Sequence, residues 1–144
     1  MFSIVKDAKI TVVENPAAAG TTDLVTDILD MAGYESVTFI CPIVDSTNTG
    51  TIRLLGHQNT ANSTSGSTQI ATGTTNTYTA DDSHNNKVLV LELIKPTQRY
   101  VYCTVDLGTA NTATGAVIAM QYGTNFGPVT QHASVASGDQ VAVA

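Results

Sequence analysis

The chain has 144 residues, which suits one domain with a core that needs neither disulfides nor metals. Hydrophobic residues make up 42% of it and charged residues only 12%, about half the usual charged share, with Thr, Ser, Asn, Gly and Ala filling the gap. Twelve acidic residues against six scattered basic ones give a formal charge of -6, and no basic stripe exists to neutralise a run of phosphates, which argues against direct nucleic-acid binding.

The apolar content argues against wholesale disorder. The low charge weakens the repulsion that keeps proteins apart, as expected of a protein that assembles. Residues 1–6 lack the apolar region and cleavage site of a signal peptide. No apolar run approaches the ~20 residues of a membrane span. The expectation is a protein made and kept in the cytosol until it assembles, with no membrane partner.

Residues 8–13 are rich in β-branched side chains and read as a short strand. Residues 23–31 fit two patterns: Leu24, Val25, Ile28 and Leu29 at helical spacing, or Leu24, Thr26, Ile28 and Asp30 in alternation. A strand is favoured, because residues 32–34 then form a turn into the next strand, with Gly33 free to adopt a positive φ. Residues 35–44 place Val37, Phe39, Cys41 and Ile43 on one face. Pro42 cannot donate to a ladder, so this strand is expected at or near a sheet edge.

Residues 51–57 form another strand candidate. Residues 58–77 are almost entirely Asn, Thr, Ser, Gly and Ala, with Ile70 the only large apolar side chain. They read as a long polar loop or as a hairpin with weak strands around 68–72. A turn cluster at 81–86 leads into 87–94, a nearly continuous apolar run expected to be buried on both faces at the centre of a sandwich. The short Pro-containing link at 95–97 predicts that this run and the alternating strand at 99–107 are antiparallel neighbours. A second polar loop at 108–114 precedes the last strand, 115–122. The small-residue tail is expected to lie across a neighbouring subunit. The predicted fold is all-β: an antiparallel β-sandwich or jelly-roll-like barrel of about eight short strands, with an extended N-terminal segment and a C-terminal arm. Residues 1–123 would be the β-sandwich domain and 124–144 the arm.

No constellation for catalysis is visible. His57, His84 and His132 are far apart in polar surroundings and lack the spacing of a zinc pair. Asp81, Asp82, Asn85 and Asn86 offer oxygens but lack the calcium-loop pattern and its distal Glu, so they read as a turn. Asp27 and Asp30 read as solvated carboxylates. Cys41 and Cys103 lie in apolar strand patterns and read as buried free thiols. No catalytic, cofactor-binding or metal-binding residue is assigned, and no cofactor is expected.

Three blocks resemble a known family: residues 27–39 (DILDMAGYESVTF), 86–101 (NKVLVLELIKPTQRYV) and 115–123 (GAVIAMQYG), in that order. They are similar to a family of small tailed-bacteriophage virion proteins encoded near the major capsid protein and described as structural or head decoration (cement) proteins. The Lys95-Pro96-Thr97-x-Arg99-Tyr100 element is the most specific part. The resemblance implies a β-rich, non-enzymatic subunit on the outer capsid surface, assembled in the host bacterial cytoplasm. It would bind the major capsid protein and stabilise the shell by bridging capsid subunits. Self-association is expected, with a trimer as first choice because decoration sites in this class often lie at local three-folds. The expected contact elements are residues 1–9, able to add a strand to a capsid edge, and the tail 126–144, with the 58–77 loop facing outward or toward a sister subunit. The alternative is another virion component: a head fibre base, a tail protein or a host-surface-binding module. The chain departs from the compact members of that family in its longer 58–77 loop and extended tail.

Overall fold

Alternation of apolar and polar residues decides which strands form and which face each one buries. The computed structural model describes residues 2–125 and 127–142. One helical turn, α1 (Ile4–Asp7), precedes twelve strands: β1 (Lys9–Glu14), β2 (Ala17–Gly20), β3 (Leu24–Val25), β4 (Leu29–Asp30), β5 (Ser36–Ser46), β6 (Thr51–Asn59), β7 (Thr68–Thr72), β8 (Asn76–Thr77), β9 (Val88–Ile94), β10 (Tyr100–Gly108), β11 (Thr112–Thr114) and β12 (Val117–Tyr122). They form two antiparallel sheets packed as a sandwich. No helix among the described residues is long and apolar enough to cross a membrane.

The first sheet is organised around the long β5. One side of β5 pairs with β12, which continues to β1, and then with β11, which continues to β2. The other side of β5 pairs with β9. The second sheet has β10 and β6 at its centre, with β3 and β4 beside β10 and β7 and β8 beside β6. The core lies between the sheets. It takes Val37, Phe39, Cys41 and Ile43 from β5, and Val101, Cys103, Val105 and Leu107 from β10, the two faces expected from the sequence. Tyr78 joins them from just beyond β8, its hydroxyl accepting a 3.0 Å bond from Thr112.

The two seams of the sandwich differ. Along one, the Asp27 amide donates to the Val13 carbonyl at 2.8 Å and the Gln121 side-chain amide to the Asp30 carbonyl at 2.8 Å, stitching the sheets together. Along the other, β9 faces β7 across surface hollows, one lined in part by Ile43, Leu54, Gly73 and Val88 and another by Ile70, Ala71, Leu93 and Ile94. Gly56 permits the closest approach there, since a side chain on it would meet Leu93 Cδ2 at 2.7 Å.

Several expectations are corrected. β5 is an inner strand; Pro42 is accommodated where β12 gives way to β11, opposite Gly115, whose amide donates to the Pro42 carbonyl at 3.0 Å. β9 is an edge strand of alternating exposure, and is not buried on both faces. β9 and β10 are not neighbours: the 95–99 link carries the chain from the first sheet to the second. The 23–31 segment is two short strands interrupted at residues 26–28 where the chain crosses to the Val13 carbonyl. The 58–77 region contains the end of β6 together with β7 and β8, the hairpin alternative. The 108–114 loop contains β11, whose Thr112 and Thr114 are buried. The N-terminal segment, expected to be extended, carries the helical turn α1.

Candidate functional site

β9 is the part of the molecule whose sequence its own fold does not use up. Lys87 O accepts from the Ile43 amide and the Lys95 amide donates to Glu35 O, so the odd-numbered residues between them turn their backbone groups toward β5. Their side chains, Leu89, Leu91 and Leu93, face the other sheet. The even-numbered residues are the opposite in both respects. Val88, Val90, Glu92 and Ile94 direct their amides and carbonyls away from β5, where no strand pairs with them among the described residues. Val88, Val90 and Ile94 are 58%, 60% and 68% exposed.

These side chains continue an apolar outer face. The register aligns Val12, Ile118, Ile40 and Val90 in one row across four strands. Ile10 and Met120 lie in the next row, and Pro42 stands beside Val88. Val44, further along β5, is also exposed. Charge on the β9 part of this face is confined to Glu92, whose carboxylate accepts a hydrogen bond from the Tyr122 hydroxyl. Edge strands ordinarily discourage pairing by being short, bulged or charged; this one is seven residues long and largely apolar.

The 95–100 link fixes the end of β9. Lys95 adopts φ 51° and its ammonium pairs with Glu35 at 2.9 Å. The buried Gln58 clamps the link: its side-chain oxygen accepts from the amides of Thr97 and Gln98 at 3.0 and 3.2 Å, and its nitrogen donates to Thr97 Oγ1 at 3.0 Å. Arg99 then reaches β4 with a two-pronged pair to Asp30, at 2.8 and 2.7 Å, while its guanidinium sits 5.3 Å from the Tyr100 ring centre. That pair holds the Asp30 carboxyl down at about 2, against the opposing effect of its partial burial.

The other sequence candidates occupy structural positions. His57 stacks on Tyr102 at 4.6 Å and His84 lies 5.0 Å from Tyr78. His132 bonds Ser134 in the tail. Asp81 accepts from the Asn48 backbone amide in the connection after β5, and Asp82 from the Asn85 side chain in the turn that precedes β9. No three His, Cys, Asp or Glu side chains converge as a metal site among the described residues. Asn59 organises the polar loop after β6, donating to the Ser63 and Ser65 carbonyls.

Of the expected contact elements, the tail binds its own chain. Gln131 accepts from the Ile10 amide at 2.7 Å and donates to the Val5 and Ala8 carbonyls, and Ser134 Oγ accepts from the Val12 amide at 2.9 Å. It thereby covers the free side of β1. Met1, Phe126, Val143 and Ala144, which belong to the expected contact segments, lie outside the described residues. Sequence reasoning missed Val88, Val90 and Ile94 as surface residues; their signal was the apolar run itself, which reads as interior.

No family model matches the chain, and no curated protein does. Among solved structures, one described as the crystal structure of PBSX exported protein XepA is similar to it, with a TM-score of 0.52 and 13% identity over 100% of this chain. The chain spans 46% of the length of that structure. At this identity the likeness is one of fold.

Proposed function

We propose that the chain is a bacteriophage structural protein that binds the outer surface of the major capsid shell and stabilises it by bridging capsid subunits. It acts by contact, without catalysis, in a virion assembled in the host cytoplasm. The observation that carries the binding role is the apolar outer face of the first sheet, ending in the unpaired β9. Covering apolar area is favourable by about 25 cal/mol per Å². Repetition over many copies multiplies a small advantage per subunit. The phage setting is supported by the three sequence blocks. Two of them supply two of that face's four strands: residues 86–101 contain β9, and 115–123 contain β12. This role requires no particular self-association; the three-fold ring expected from the class competes with the pairing inferred below from the strand edges.

The test is to mix the purified protein with undecorated phage shells and image them by cryo-microscopy. Stoichiometric, saturable density on the outer surface is the expected result, together with shells that survive higher temperature than bare ones. Bare shells at saturating protein would sink the proposal. The second reading, another virion component such as a tail protein, is favoured by one observation: the same fold occurs within a longer chain described as an exported protein. Density on the tail of complete virions, and none on the head, would select it.

A further inference from the structure

We infer that the occupant of the β9 edge is β9 of a second copy of this chain, paired antiparallel about a two-fold axis through Leu91. Length is the first argument. Among the free strand edges of the described residues, β2 offers four residues, β7 five, and β3, β4 and β8 two each, while β9 offers seven. The six-residue β1 is covered by Gln131 and Ser134. A second β9 is therefore the partner strand from this chain that matches the edge along its whole length.

Register is the second argument. The outward backbone groups belong to the even residues, so a pairing must set even residue against even residue. Centring on Leu91 places Val88 opposite Ile94 of the second copy and Val90 opposite its Glu92, twice over, for about eight backbone hydrogen bonds. No acidic pair faces itself. Shifting the centre to Glu92 opposes two carboxylates. Shifting it to Val90 brings in Asn86, whose φ of 62° has left the strand. At the ends Lys87 meets Lys95 of the second copy, and there Lys95 is already neutralised by Glu35. The two first sheets become one continuous sheet, and the apolar rows ending at Val90 and Val88 are joined across the axis.

Sedimentation of the purified protein is expected to give twice the chain mass. Val90→Glu opposes two carboxylates on each side of the axis and should return the chain to single mass with its far-ultraviolet spectrum unchanged. Adding Glu92→Lys to that variant turns each repulsion into an attraction and should restore the pair. In the wild-type background, Leu91→Cys should oxidise to a covalent pair, since residues facing across the axis sit about 4.5 Å apart in Cα, within disulfide reach. Val90→Cys should not, because its facing residue is Glu92. The native Cys41 and Cys103 are buried and do not compete. A single-mass or three-fold wild type, or a Val90→Glu variant that stays associated, overturns the inference. A chain that pairs but leaves shells bare sinks the capsid proposal alone; one that binds shells while single sinks this inference alone.

Discussion

At the residue scale, two thiols and one carboxyl have chemistry set by where the fold puts them. The Cys41 and Cys103 thiols are each pushed up to about 12 by burial. At pH 8 roughly one thiol in ten thousand is then ionised, and the thiolate is the reactive form. A thiol reagent is expected to label neither cysteine in native buffer and both after denaturation; rapid native labelling would contradict the burial. Asp30 titrates in the opposite sense, its carboxyl held at about 2 by Arg99. Its folded value lies below the unfolded one, so its stabilisation is full above pH ~4 and is lost as pH falls toward 2. Asp30→Asn should lower the melting temperature at pH 7 and flatten its fall between pH 4 and 2. The effect should be modest, because the Asp30 and Arg99 side chains are 45% and 57% exposed. A variant whose acid profile matched the wild type would show that the pair contributes nothing.

Strands show most clearly what a sequence can convey. The alternation at 35–44 and 99–107 was legible because each segment has one dry face and one wet face, and β5 and β10 bury the residues expected. The run at 87–94 was misread for a physical reason. Apolar residues on both faces of a strand say that both faces meet something apolar; they do not say that the same chain supplies it. In β9 the leucines meet the core, while the valines flank β5 side chains and stay largely exposed on the outer face. The β9–β10 pairing failed because a short Pro-containing link also serves a crossing between sheets, and Gln58, distant in sequence, is what holds it so. β11 was missed because two buried threonines in a polar loop look like a loop until Tyr78 is placed against one of them. Nor does local pattern place the tail, whose side chains reach β1 over more than a hundred residues. That docking is testable. In a Gln131→Ala, Ser134→Ala variant the Ile10 and Val12 amides should exchange with deuterium markedly faster, each lost bond costing about 0.5–1.5 kcal/mol. The Thr11 amide, turned toward β12, should stay protected. Unchanged exchange at Ile10 and Val12 would mean that the tail does not hold that edge.

For the whole molecule, the sandwich is asymmetric in three respects. One seam is stitched by the Val13–Asp27 backbone bond while the other is open between β9 and β7. The first sheet carries an apolar outer face, and the central strands of the second carry polar groups such as Arg53, Asp106 and His57 on theirs. The low charge of the chain offers little to keep that apolar face away from a matching surface. The tail adds the remaining asymmetry. A sheet with two adhesive margins recruits copies at both and grows into a fibre of no fixed length. Here Gln131 and Ser134 occupy the β1 margin, so the long margins of this sheet reduce to β9, with the four-residue β2 beside it. Two copies joined through β9 as inferred would turn their tail-covered β1 margins outward, which leaves no second long margin for the sheet to grow from.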